Sequence, residues 1–360
     1  MTRHGSTVAE ALIRPDNNFG QIRLALALAV VVSHAFSVTT GSVDDEPLAI
    51  STGFTLGEHA VNGFFAISGF LVTMSFDRRG WWDYVVARTL RIAPGLVVAV
   101  LTTALLLGSF ATRLSVSDYV THPGVWRFIS VTLSSFKSTA ALPGVFEANP
   151  FKFPMGTVWT LKYEVLCYAG VLVFGILGLL RGRLTAALLV AGLFLSAVLT
   201  EYWYTEPPKG LETALRLPLI FATGAALYVW RDTIRLSLVA VVLLICATWL
   251  IADTDLFKPM LFVSTAYGAL WLALAPEVTK IVPEPRQDLS YGTYLYGWPV
   301  QQMLHHLFPT ASAVTLLLPA ILITLLVAAL SWILVEKPAL SIKARALGRR
   351  TLKTVKPAAP

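Results

Sequence analysis

Arg23 and His34 stand eleven residues apart in one apolar stretch, Phe19–Ser37 (FGQIRLALALAVVVSHAFS). At ~100° per residue, eleven steps make about three turns plus ~20°, so on a helix both side chains lie on one stripe, roughly 16 Å apart along the axis. A stretch this long and apolar can span a bilayer. A charge inside such a helix costs ~2.5–3.5 kcal/mol even on the mild insertion scale, so it faces a partner, a cavity or a substrate. Neutral imidazole is the usual side chain for moving a proton near pH 7. The plainer alternative is that Arg23 snorkels to lipid headgroups and His34 caps a neighbouring helix.

Arg88 and Arg91 are three apart and share a helix face. Paired guanidinium forks make bidentate contacts to phosphate oxygens; the alternative use is as lipid-headgroup anchors. Pro94 follows and should bend that helix. Glu164 lies well inside another apolar run, and Lys162, two residues away, does not face it on a helix. Its partner must come from elsewhere, and a carboxylate that orients an imidazole and stabilises its charged form is one use, with His34 at a suitable depth. Ser290, Tyr291 and Tyr294 share a face by i, i+3 and i, i+4 spacing; Tyr296 and Trp298 read as members of an interfacial aromatic belt. In Asn62–Phe70, Gly63, Ser68 and Gly69 permit close helix approach, which points to packing more than to catalysis.

The elements that must position these residues are membrane helices. The chain is 56% hydrophobic and only 14% charged, where a soluble domain carries ~25% charge. Ten spans can be laid out, beginning near residues 19, 57, 84, 157, 184, 211, 235, 258, 289 and 313. The polar residues 1–18 and the absence of a small-residue cleavage site make the first span a retained helix. Cys167 and Cys246 sit in apolar runs and suit neither a disulfide nor a metal site; no metal is expected. The segment 109–156 is too polar to span and too aromatic for a plain linker, so it reads as a folded loop and a substrate-facing candidate. With ten spans both termini share a side, and that side carries seventeen Lys and Arg against six on the other. The positive-inside rule then makes both termini cytoplasmic and turns the 109–156 loop outward. The expected fold is all-α, a polytopic membrane domain over 1–340 with a basic cytoplasmic tail over 341–360.

Taken in order, these pieces resemble membrane-bound acyltransferase family 3. The family's basic residue, ten intervening residues and His in the first helix are matched by Arg23 and His34. Its FFxxSGF is matched by Phe64–Phe70, its RxxR by Arg88 and Arg91, and its WxLxxE by Trp159, Leu161 and Glu164. SYxxYL is matched by Ser290–Leu295, and the closing E-K/R-P by Glu336, Lys337 and Pro338. Two departures stand out. Tyr296 and Gly297 precede Trp298 where many members carry a further His. The chain also ends soon after the tenth span, without the soluble esterase-like domain of some members, so transfer would finish in the membrane domain or on a separate protein.

The resemblance implies an O-acyltransferase that takes an acyl group, usually acetyl, from acetyl-CoA to a hydroxyl. On that reading His34 and Glu164 are catalytic. Arg23, Arg88, Arg91, Ser290, Tyr291 and Tyr294 hold the donor, and Trp159 and Lys162 meet the acceptor. The acceptor would be a cell-surface polysaccharide or its lipid-linked precursor, and the location the bacterial inner membrane, among lipids and within a polysaccharide biosynthesis complex, with no nucleic-acid partner. Two rivals remain open. One is a flippase or exporter with His34 and Glu164 as a proton relay, although no inverted repeat is evident. The other is a non-catalytic subunit whose charges pair helices.

Overall fold

The computed structural model describes residues 6–14, 17–275, 278 and 287–342. The basic tail from residue 343 onward, with Arg3, Lys280 and Arg286 of the charge count, lies outside them. Among the described residues the protein is all-helical, 78% helix without strands. Ten helices follow the apolar runs: α1 Phe19–Thr40, α2 Leu56–Arg79, α3 Trp81–Leu101, α4 Trp159–Ile176, α5 Arg183–Trp203, α6 Lys209–Val229, α7 Leu238–Leu250, α8 Phe257–Leu274, α9 Ser290–Leu307 and α10 Ala313–Ser331.

Eight of these are long and apolar enough to cross a membrane. The other two differ for separate reasons. Helix α7 has only 13 residues, about 20 Å of rise. Helix α9 has 18 residues, but its tyrosines, glutamines and histidines keep it below the hydropathy of the rest. Nearly all of α9 is buried, as a polar helix must be wherever lipid cannot satisfy its side chains.

The chain divides into two compact units: Met1–Ala29, Leu56–Arg78 and Tyr163–Arg286 form the first, and Val30–Thr55, Arg79–Lys162 and Gln287–Pro360 the second. In the first, α2 and α6 cross backbone to backbone. A Cβ on Gly69 would fall 2.0 Å from the Phe221 carbonyl oxygen, and one on Gly224 would fall 2.1 Å from that of Ala66. No larger residue fits either position, so the glycine of Phe64–Phe70 serves packing, as small residues do between membrane helices. Phe70 stacks on Phe19 at 5.9 Å and meets the Tyr228 ring edge-on at 5.6 Å.

In the second unit, α3 continues through a π-helical turn, Thr102–Leu107, to Ala111. The 109–156 segment is folded, with helices over Val116–Thr121 and Pro123–Ser135. Its Tyr119, Val125, Phe128, Leu142, Phe146 and Met155 join one apolar core with Leu96, Ala99 and Val100 of α3. The Tyr119 hydroxyl donates to the Ala104 carbonyl at 2.6 Å, inside the π turn, where widening has freed that oxygen from the usual ladder. A Cβ on Gly108 would lie 1.9 Å from the same hydroxyl. Burial pushes the Tyr119 phenol above its ordinary value, which keeps it a neutral donor.

Candidate active site

His34 lies on the part of α1 that belongs to the second unit. Its imidazole meets the Trp298 indole edge-on, with ring centroids 5.0 Å apart and planes at 83°, a favourable aromatic geometry. Trp298 is only 5% exposed. Its Nε1 donates to the Phe153 carbonyl at 3.0 Å, its ring stacks on Phe153 at 5.3 Å, and Phe151 flanks it at 5.5 Å. Gly156 lets this segment close on the indole, since a Cβ there would sit 2.5 Å from the ring. The expectation of an interfacial belt for Tyr296 and Trp298 is therefore corrected: both are buried. Local sequence reports their aromatic character but not which way the helix turns them.

Two glutamines finish this wall. Gln301 Nε2 donates to the Val31 carbonyl of α1 at 2.6 Å. Gln302 Nε2 donates to the carbonyls of Phe151 and Phe153 at 2.8 and 3.1 Å, and its own oxygen accepts from Asn149 at 2.8 Å. Buried amides are costly unless bonded, so these bonds fix the register of α9 against α1 and against the end of the folded segment.

The same unit assembles a second group around Arg91. Arg91 Nη2 lies 2.8 Å from Asp288 Oδ2, with side chains 14% and 26% exposed. The other Asp288 oxygen accepts from the Ser290 hydroxyl at 2.6 Å, which ties the pair to the first turn of α9. The guanidinium carbon sits 5.6 Å from the Tyr291 ring centroid, within cation–π range. The Tyr291 hydroxyl is committed to the Ile92 carbonyl at 2.8 Å. Of the six residues expected at a donor site, Arg91, Ser290 and Tyr291 thus come together, and Arg88 is half-buried on the preceding turn. Tyr294 turns to the start of α4, donating to the Thr157 carbonyl at 2.9 Å and sharing a hydrogen bond with Thr160 at 2.6 Å. Trp159 is half-buried there and Lys162 is exposed.

Arg23 and Glu164 fall in the first unit. Glu164 accepts a hydrogen bond from Tyr168, so the carboxylate left unpaired by Lys162 has a partner on its own helix, one turn on. The first unit also holds a network centred outside every motif named above. Arg216 is 1% exposed, 2.8 Å from Glu212 and 3.4 Å from Glu58, and donates to Asn62 Oδ1 at 3.0 Å. Only the Glu212–Arg216 spacing of four was visible beforehand; Glu58 and Asn62 come from far along the chain.

The result is a membrane-helix protein with an imidazole held against a buried aromatic wall. The chain belongs to the acyltransferase domain family, whose model matches residues 16–336. It is 28% identical to the "O-acetyl transferase" of Shigella phage Sf6, over 89% of this chain and 95% of the relative. It is 29% identical to "Nodulation protein 10" of Rhizobium leguminosarum bv. viciae, over 93% of this chain and 96% of that one. No solved structure matches. The protein is accordingly an acyltransferase enzyme of the membrane.

Proposed function

We propose that this enzyme moves an acetyl group from cytoplasmic acetyl-CoA to a hydroxyl of a cell-surface polysaccharide or its lipid-linked precursor, in the bacterial inner membrane. The observation that carries the reading is the setting of His34: a titratable ring fixed against Trp298 in a chain of acyltransferase family. The acetyl group is suggested by the name of the phage relative. Ten crossings with both termini inside agree with the bias of Lys and Arg.

The donor supplies an activated thioester. Arg88 and Arg91 bind its phosphates as guanidinium–oxygen pairs, with Ser290 and Tyr291 shaping that end. Trp159 and Lys162 meet the acceptor, which comes from the outer side past the 109–156 segment. An imidazole nitrogen of His34 takes the acceptor hydroxyl proton as the oxygen forms its bond to the carbonyl carbon. The carbon–sulfur bond then breaks, and the imidazolium returns the proton to the departing sulfur.

Acetyl content of surface glycan, measured by mass spectrometry in cells carrying His34→Ala, tests this. General-base catalysis is worth about 10²–10⁴-fold, so modification should fall to background while the protein still inserts. Full modification in that variant rejects His34 as the base.

A further inference from the structure

The loop between α1 and α2 turns one carboxylate inward. Glu46, which closes the short turn Val43–Asp45, is 5% exposed. One of its oxygens accepts from the Ser33 hydroxyl and the other from the Ser37 hydroxyl. Both serines are buried, and they sit four apart on one face of α1, on either side of His34 in the chain. The Ser37 hydroxyl also lies 3.4 Å from the His34 carbonyl oxygen, so the clamp reaches the backbone of His34 itself. All of these groups belong to the second unit. The loop is seated from a second side, where a Cβ on Gly41 would lie 3.0 Å from the Pro150 ring. Leu48, two residues beyond Glu46, holds φ +71°, a left-handed conformation that branched side chains avoid.

Adhesion alone does not explain a buried carboxylate. Desolvation offsets much of what its hydrogen bonds return, and an apolar contact of the same volume would hold loop and helix at least as well. What two charge-assisted bonds from fixed directions add is geometry. Gln301 holds the Val31 carbonyl and Trp298 meets the imidazole, both from α9. Glu46 holds the same turns of α1 from the loop.

We propose that Glu46 is a positioning residue for His34: its carboxylate, through Ser33 and Ser37, fixes the turn of α1 that presents the imidazole to the reacting groups. This rests on the reading of His34 as the base. Misplacing a catalytic group by about 1 Å costs on the order of a hundredfold in rate, and that is the scale expected on releasing the clamp.

The test uses the full chain purified in detergent, with radiolabelled acetyl-CoA as donor and glycan from cells lacking the protein as acceptor. Glu46→Ala should lower kcat by about 10- to 100-fold with the KM for acetyl-CoA within about threefold. Glu46→Gln, whose amide can accept from one serine and donate to the other, should recover most of that loss. Thermal stability of each variant is followed alongside. Unchanged kcat in Glu46→Ala, or failure of Glu46→Gln to restore any of the loss, overturns the proposal. So does a joint fall of kcat, donor affinity and stability, which marks a merely structural residue. If Glu46→Ala does not accumulate, Ser37→Ala takes its place: a several-fold fall in kcat supports the clamp and full kcat overturns it. His34→Ala in the same assay separates the two layers. If it is inactive while Glu46→Ala is not, only the Glu46 proposal falls; if it stays active, the reading of His34 falls and takes this proposal with it.

Discussion

Arg216 and Arg91 are both arginines in membrane helices, and their surroundings differ. Arg216 is fully buried in the first unit among Glu212, Glu58 and Asn62. Arg91, in the second, keeps a partly exposed side chain and pairs with Asp288. A guanidinium matched by two carboxylates and an amide is part of the frame, because any incoming anion would compete with two charges already in place. Arg91, where both the guanidinium and its partner Asp288 keep some exposure, can take up a phosphate oxygen at modest cost. Hydropathy alone gives both the same description, a cation in an apolar run; only the RxxR spacing sets Arg91 apart.

The largest effect should follow Arg216→Ala. It leaves Glu58 and Glu212 facing each other without their common partner, and removing one member of a buried pair costs about 3–5 kcal/mol. The folded fraction in detergent, followed by size-exclusion chromatography after heating, should fall to little or nothing. If the variant melts like the parent, Arg216 is not framework and the contrast with Arg91 is wrong.

Arg91→Ala should separate the two roles in the other direction. The Arg91–Asp288 pair is partly exposed, and such pairs contribute about 0–1 kcal/mol, so thermal stability should hardly move. Charge-assisted hydrogen bonds contribute about 1.5–3 kcal/mol, so CoA measured by calorimetry should bind about 10- to 100-fold more weakly. A stability loss as large as that of Arg216→Ala, with CoA affinity intact, would assign both arginines to the frame.

What was legible beforehand follows the range of the interactions. The apolar runs, the Gly69 contact surface and the folded character of 109–156 came from composition and spacing, which are local. The i, i+4 pair of Glu212 and Arg216 was equally local, yet its meaning depended on Glu58 and Asn62, brought in by α2. Trp298 was misread because an aromatic in a membrane helix looks the same in sequence whether it faces headgroups or, as here, His34 and Phe153. The π turn at Thr102–Leu107 had no sequence signal, since the hydroxyl that fills it comes from Tyr119, beyond the helix. Glu46 was one of three acids in a polar loop, and only the folded loop separates it from Asp44 and Asp45.

The smallest effect, and the one that most sharpens the contrast, is that of Asp288→Asn. Asp288 divides its oxygens between Arg91 and Ser290. An amide in its place keeps an acceptor for Ser290 while removing the charge that neutralises Arg91. If Asp288 mainly competes with the donor, its loss should tighten CoA binding by about 3- to 10-fold, roughly 0.6–1.4 kcal/mol. Binding should also fall more steeply with added salt, because the guanidinium–phosphate attraction would no longer be offset by a neighbouring carboxylate. If Asp288 mainly orients the fork, the same substitution should weaken CoA as Arg91→Ala does, with little change in salt dependence. The partial exposure of both side chains favours the first outcome, since a carboxylate that water can reach gives up its partner at low cost.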